Sequence, residues 1–212
     1  MHIPDGILPA TVCAAGYATT GTATWCSLRK INQKENPREG IPKASLLTAA
    51  FFVASWIHIP IPPTSVHLVL NGLLGVVLGY YAFPAILIGL FFQAVMFQHG
   101  GLTTLGVNAT VMGIPALLAY YVFRLRSLVG NDSRVAIGVF GFLAGASGLG
   151  LAALAAMILL ITTVPVVVDV EAERASIYAL TLAHVPLMIL EGIFTALVVL
   201  FLQRVRPALL EA

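Results

Sequence analysis

The first two residues of the chain, Met1 and His2, could together chelate a metal ion. A free amine on Met1, the amide of His2 and the imidazole of His2 are three nitrogens that close a five-membered and a six-membered ring around one metal. This arrangement leaves one in-plane position open for a ligand from elsewhere in the chain. Nitrogen donors in a square plane suit Ni(II) or Cu(II) best. The N-terminus is therefore interpreted as a metal-binding arm that lacks one ligand.

The residues after His2 indicate that this arm, residues 1–7, has a defined shape. Pro4 fixes its own φ angle and has no amide donor, and Asp5-Gly6 is a turn signal. Because His2 is large, the usual enzymes that remove an initiator methionine are expected to leave Met1 in place. We therefore expect a bent arm with a free amine at its end, rather than a frayed terminus.

The composition predicts a membrane protein. Hydrophobic residues make up 59% of the 212 residues and charged residues only 9%, with a mean hydropathy of +0.96. Soluble domains are roughly one-quarter charged. The fold class expected is all-α, a polytopic helical bundle that forms a single transmembrane domain over residues 1–212. A net charge of +2 gives no support for nucleic-acid binding, and the expected non-protein surroundings are the lipid bilayer.

Apolar runs predict about seven transmembrane helices within residues 8–206. The proline-rich stretch 59–65 is expected to be an elbow between the second and third helices. The predicted spans are 8–28, 44–59, 66–81, 84–97, 107–123, 135–164 and 176–203.

Basic residues give the predicted orientation. Ten of the 11 Lys and Arg residues lie in three segments, 29–43, 124–134 and 204–206, which seven spans would place on one side. Basic loops favour the cytoplasm. The N-terminal arm is therefore expected outside the cell and the C-terminus in the cytoplasm.

His67 is the candidate for the missing ligand, because it opens the predicted third span on the outer side. Neutral imidazole is a common nitrogen donor for nickel, copper and zinc. Asn71, four residues later, would share its helical face and could orient the ring. Ser65, His99 and Asn108 are further residues expected around the ligands. The alternative is that His67 marks a helix start at the membrane interface.

Other polar residues in the apolar spans are open to two interpretations. Gln93, Asn108, His184 and Glu191 could serve the site or tie neighbouring helices together. His99, in the Gly-rich connector 98–106, could receive the metal or face water. The sequence leaves these alternatives open.

Three motifs together resemble a known family. They are the N-terminal Met-His-Ile-Pro-Asp-Gly, Ser65-Val66-His67-Leu68 with Asn71-Gly72, and the Gly-rich segment 100–108 with Met112-Gly113. The chain is similar to the substrate-binding membrane component of energy-coupling-factor nickel/cobalt transporters, along nearly its whole length. The resemblance implies that Met1, His2 and His67 hold the metal. A planar nitrogen field favours Ni(II) over Co(II).

The resemblance also implies partners and a location. Similar proteins work with a transmembrane coupling subunit and two cytoplasmic ATPase subunits, and a small accessory membrane protein is a further expected partner. This chain has no Gly-x-x-x-x-Gly-Lys-Ser/Thr motif and so no P-loop of its own. It is expected to be a transport component without enzymatic activity or cofactor, multi-pass in the inner membrane of a prokaryotic cell.

Two alternatives come from other functional classes. Gly145-Ala146-Ser147-Gly148 and His184 could form the Ser–His pair of an intramembrane serine protease. The chain could also be a self-sufficient permease for metal cations, which would need no ATPase.

Overall fold

A computed structural model describes residues 2–61, 64–129, 133–163 and 170–210, and the side chains of residues 58–66, 170 and 173 lie outside this description. The described chain is helical apart from one two-stranded hairpin. The elements are α1 (Ala10–Asn32), α2 (Ile41–Ala54), β1 (His58–Ile61), β2 (Thr64–His67), α3 (Asn71–Leu78), α4 (Ala82–Phe97), α5 (Leu105–Arg124), α6 (Arg134–Thr163) and α7 (Val170–Val205).

Several helices are apolar and long enough to cross a membrane. Within the described ranges there are four such segments, and in the first of them α3 and α4 run together through a 3-10 turn. α2 is apolar but shorter. The expectation of a multi-pass helical membrane protein is confirmed, whereas the number of seven crossings stays a prediction. The four segments are Asn71–Phe97, Leu105–Leu128, Arg134–Thr163 and Arg174–Val205.

The proline-rich stretch forms a hairpin rather than a simple elbow. β1 pairs with β2 in antiparallel register, with His58 opposite His67. Pro60 lacks an amide donor and disfavours helical geometry in the residue before it. The β-branched residues on either side favour strands. The chain therefore leaves α2 at Ala54 and returns toward the bundle as a strand.

The predicted start of the third span was consequently wrong. Residues 64–67 belong to β2, and α3 begins only at Asn71. His67 is the last residue of a strand, so Asn71 does not follow it on a shared helical face. The four-residue spacing was correct for a helix, but the prolines upstream keep this segment extended.

α5 lies at the centre of the bundle, where it packs against α1, α3, α4 and α6. Small residues allow the helices to approach closely. Where α3 crosses α6, a Cβ atom added to Gly148 would lie 2.5 Å from the Cα of Gly72. The largest fully buried side chains around these crossings include Leu74, Phe83, Ile86, Met112 and Leu149.

The basic segments meet at one end of the bundle. Lys43 Nζ donates to the carbonyl of Leu209 at 3.3 Å, and Arg126 Nη2 donates to the carbonyl of Leu210 at 3.2 Å. The segments around residues 43 and 126 and the C-terminal residues are thus neighbours. The arm, the hairpin and the connector between α4 and α5 gather at the other end.

Candidate metal centre

The N-terminal arm is held by the start of α5. The amide of Ile3 donates to Asn108 Oδ1 at 2.9 Å, and Asn108 Nδ2 donates back to the carbonyl of Ile3 at 3.0 Å. The hydroxyl of Thr104 donates to the same carbonyl at 2.6 Å. Ile3 is only 3% exposed. Asn108 therefore binds the main chain of the arm at Ile3, directly after His2, the predicted ligand that it was expected to neighbour.

Asp5 fixes the arm at a second point. Its carboxylate accepts the amides of Leu102 at 3.1 Å, Thr103 at 2.9 Å and Thr104 at 3.4 Å, just before α5 begins. The hydroxyl of Thr103 and these amides lower the pKa of Asp5 below its ordinary value. Asp5 thus ties the arm to the turn that leads into α5, about a hundred residues away in sequence.

Gly101 makes the close approach of Asp5 possible. A Cβ atom at this position would overlap the Asp5 carboxylate and lie 2.7 Å from the Asp5 amide nitrogen.

We expect Gly101→Ala to displace the arm and to speed hydrogen exchange of the Ile3 amide about tenfold or more, since overpacking costs ~1–3 kcal/mol. Gly21→Ala is the control, because its added Cβ would meet open space. Unchanged exchange of the Ile3 amide in Gly101→Ala would show that the arm is held elsewhere.

Three imidazoles converge where the arm meets the rest of the protein. The ligand atoms of His2, His67 and His99 all lie within 4.8 Å of one another. The ring of His2 lies 5.1 Å from that of His67 and 4.2 Å from that of His99, measured between centroids. The rings come from the arm, from β2 and from the connector that follows α4. The fold thus brings His67 and His99 to the predicted metal-binding arm.

The hydrogen bond of His2 leaves the nitrogen that a chelate needs. His2 Nε2 lies 2.8 Å from Gln93 Oε1. An amide oxygen only accepts, so Nε2 carries the proton and Nδ1 keeps its lone pair. Nδ1 is buried and has no hydrogen-bond partner among the described residues. It is also the atom that closes a six-membered ring with the His2 amide nitrogen and a metal.

The electrostatic environment keeps His2 neutral. Burial, followed by nearby positive groups, lowers the pKa of the His2 imidazole well below its ordinary value. A neutral ring is the form that binds metals. His67 is similarly prepared, since its Nδ1 lies 3.0 Å from the carbonyl of Leu68 and must donate to it. The lone pair of the neutral His67 ring is then on Nε2.

Gln93 is a site residue whose role the sequence did not reveal. It is fully buried in α4 and orients His2. The sequence did mark this residue as unusual, because Gln93 is the one amide side chain in an otherwise apolar helix. Composition alone could not distinguish an orienting group from a contact between helices.

Other predicted neighbours of the ligands have different places. Asn71 Nδ2 donates to the carbonyls of Met112 at 3.2 Å and Gly148 at 2.9 Å. It therefore ties α3 to α5 and α6 instead of orienting His67. Met1 and the side chain of Ser65 lie outside the described residues, so the amine ligand stays a prediction.

Glu191 of α7 holds the segment that follows His67. This side chain is 1% exposed, and its Oε1 accepts the amide of Val69 at 2.5 Å. Its Oε2 accepts the amide of Leu70 at 3.0 Å. Leu70 has a φ of 58°, a left-handed conformation that costs a non-glycine residue ~1–2 kcal/mol. The buried carboxylate stabilises this turn and so fixes where β2 ends.

The proposed Ser–His pair of a protease is not formed. Ser147 Oγ donates to the carbonyl of Ala144 at 3.2 Å, and His184 Nδ1 lies 2.7 Å from the carbonyl of Leu180. Each side chain is thus bonded to its own helix. No hydrogen bond joins the two, and the protease alternative fails on geometry.

Comparisons with known proteins give a consistent identification. The family model described as "Cobalt uptake substrate-specific transmembrane region" matches residues 2–209. Over 213 residues the chain is 34% identical to a protein of Haemophilus influenzae that is named as a metal transport protein, and the match covers 100% of this chain and 97% of that one. It is also 35% identical over 228 residues to the fused nickel transport protein NikMN of Rhodobacter capsulatus, covering 99% of this chain and 64% of that one.

A solved structure agrees with these sequence similarities. The crystal structure of a transition metal transporter matches with a TM-score of 0.80 at 27% identity, covering 97% of this chain and 93% of that one. The family resemblance drawn from the three motifs is confirmed, as is the prediction of a transport component without enzymatic activity. The chain belongs to the cobalt uptake substrate-specific transmembrane family, whose members are membrane components of cobalt and nickel transport.

Proposed function

We propose that this chain captures Ni(II), in preference to Co(II), for an ATP-driven energy-coupling-factor importer. The observation that carries the proposal is the buried Nδ1 of His2, which keeps its lone pair beside His67. The ligands would be the Met1 amine, the amide nitrogen and Nδ1 of His2, and Nε2 of His67. Four nitrogens in one plane favour nickel over cobalt.

Mutation of His67 and His99, the two imidazoles outside the N-terminal arm, tests this ligand set. We expect His67→Ala to lower Ni(II) affinity by about a hundredfold or more, because an in-plane ligand is lost, and His99→Ala by about tenfold, as for a supporting residue. Isothermal calorimetry on the purified protein measures both, and repeating it with Co(II) measures the preference. A larger loss for His99→Ala would assign the fourth position to His99.

The proposed topology has seven crossings, with the arm outside and the C-terminus in the cytoplasm of a prokaryotic cell with an inner membrane. Its support is the meeting of basic segments near Leu209 and Leu210, at the end of the bundle remote from the arm. Basic loops favour the cytoplasmic face. The metal centre would then lie on the face where the ion arrives.

The proposed partners are a transmembrane coupling subunit, two cytoplasmic ATPase subunits and a small accessory membrane protein. The chain has no P-loop motif, so ATP hydrolysis must come from elsewhere. α7 exposes large apolar side chains, among them Leu182, Leu197 and Phe201, to lipid or to a partner helix. Uptake of radioactive nickel without ATPase subunits separates this proposal from a self-sufficient permease, which would still accumulate the ion.

A further inference from the structure

A cavity beside the metal centre contains a second histidine. It has a volume of about 220 Å³ and lies between the arm, α6 and α7. Both His2 and His184 line it, together with apolar residues such as Ile3 and Met157. A water molecule occupies ~30 Å³ in the liquid, so the cavity has room for a metal ion that still carries several waters.

His184 has the arrangement of a metal-binding histidine. Its Nδ1 lies 2.7 Å from the carbonyl of Leu180, which can only accept, so the ring donates from Nδ1. The lone pair is then on Nε2, and the one hydrogen bond shown for this ring among the described residues is the Nδ1 contact with Leu180. Histidines that bind metals commonly donate their other N–H to a backbone carbonyl in this way. The side chain of His184 is 2% exposed, so its imidazole lies inside the bundle and not at the protein surface.

The position of the cavity relates it to passage of the ion. It is lined by the end of α6 and the first half of α7, at the same end of the bundle as the arm. Thr181, also in the lining, donates its hydroxyl to the carbonyl of Ile177 at 2.9 Å, which leaves its oxygen able to accept from a water. The remaining walls are largely apolar. Such a site can bind an ion briefly without retaining it.

We propose that His184 is a transit ligand for a partly hydrated divalent transition metal ion. The ion would bind Nε2 of His184 in the cavity and then exchange to or from the nitrogen ligands at His2. The cavity is thus a route to the centre, and His184 is distinct from the residues that hold the ion at equilibrium. This inference rests on the proposed function, because it requires a nickel site at His2.

The test separates rates from equilibrium. Stopped-flow measurements of Ni(II) association and dissociation are expected to slow about tenfold in both directions in His184→Gln, with the Kd changed less than threefold. A residue on the route lowers the barrier equally in both directions, whereas a ligand of the final site changes the Kd. Ser147→Ala is the control, because this residue of α6 lies outside the cavity lining and bonds to its own helix.

A second variant tests the same cavity in case His184→Gln fails to fold. Ala153→Leu narrows the same cavity from α6 without altering His184 and is expected to give the same symmetrical slowing. Wild-type rates in both variants would overturn the proposal. A loss of affinity in His184→Gln as large as in His67→Ala would overturn it too, by placing His184 in the centre itself. Absence of nickel binding by the wild-type protein would refute the proposed function, and the transit site with it.

Discussion

Two glycines added before Met1 are expected to lower Ni(II) affinity by about a thousandfold, or ~4 kcal/mol. The extension moves the terminal amine away from the His2 amide, so the five-membered ring no longer closes. The metal then loses the amine and most of the driving force for binding the deprotonated amide. Isothermal calorimetry measures the change, and the same two glycines added after Ala212 are the matched control. A single glycine is avoided, because the amine, the two amides and the imidazole of Gly-Met-His would form a new four-nitrogen chelate.

The outcome distinguishes two possible centres. If the extended protein binds nickel with wild-type affinity, the amine is not a ligand, and the cluster of His2, His67 and His99 binds the metal by itself. Adding His99→Ala to the extended protein would then abolish the remaining binding. If the proposal is correct, the extension alone accounts for nearly all of the loss.

Glu191→Ala is expected to produce the second large effect, a fall in Ni(II) affinity of about a hundredfold together with lower thermal stability. The substitution leaves the buried amides of Val69 and Leu70 without their acceptor, at ~1–3 kcal/mol for each group. The left-handed turn at Leu70 loses its support, and His67 moves away from the arm. The Ni(II) affinity of Glu191→Gln should lie between those of Glu191→Ala and the wild type, since the one amide oxygen of Gln can accept only part of these hydrogen bonds.

Calorimetry and thermal unfolding together assign this effect. Thr195→Val is the matched control, because Thr195 is also fully buried in α7 and lies one turn farther along it. We expect Thr195→Val to keep the wild-type nickel affinity. Wild-type affinity in folded Glu191→Ala would instead mean that His67 is positioned without α7.

The sequence identified candidate ligands that the fold brings together, but it misjudged their local structure. Chelate geometry predicts Met1 and His2 as ligands, and the placement of charges predicts that His67 lies on the same side as the arm. Helical periodicity then assigned His67 and Asn71 to one face, but the hairpin built by Pro60 and its β-branched neighbours prevails over that pattern. Apolar runs alone cannot distinguish a buried strand from the start of a helix.

The supporting contacts were beyond prediction because they join distant parts of the chain. Gln93 orients a ring 91 residues before it, and Glu191 binds amides 122 and 121 residues before it. Sequence patterns report on neighbours along a helix or strand, not on such pairings. Their polarity within apolar helices marked Gln93 and Glu191 as important, but only the tertiary fold assigns their tasks.

The two halves of the centre are held by different helices, and this has a consequence for unloading the ion. α5 holds the arm through Asn108 and Thr104, whereas α7 holds the segment after His67 through Glu191. A shift of α7 relative to α5 would separate His67 from His2 without unfolding either element. In the proposed importer, a partner that moves the exposed α7 would therefore convert the proposed four-nitrogen chelate into an incomplete one and lower its affinity for the ion at the moment of delivery.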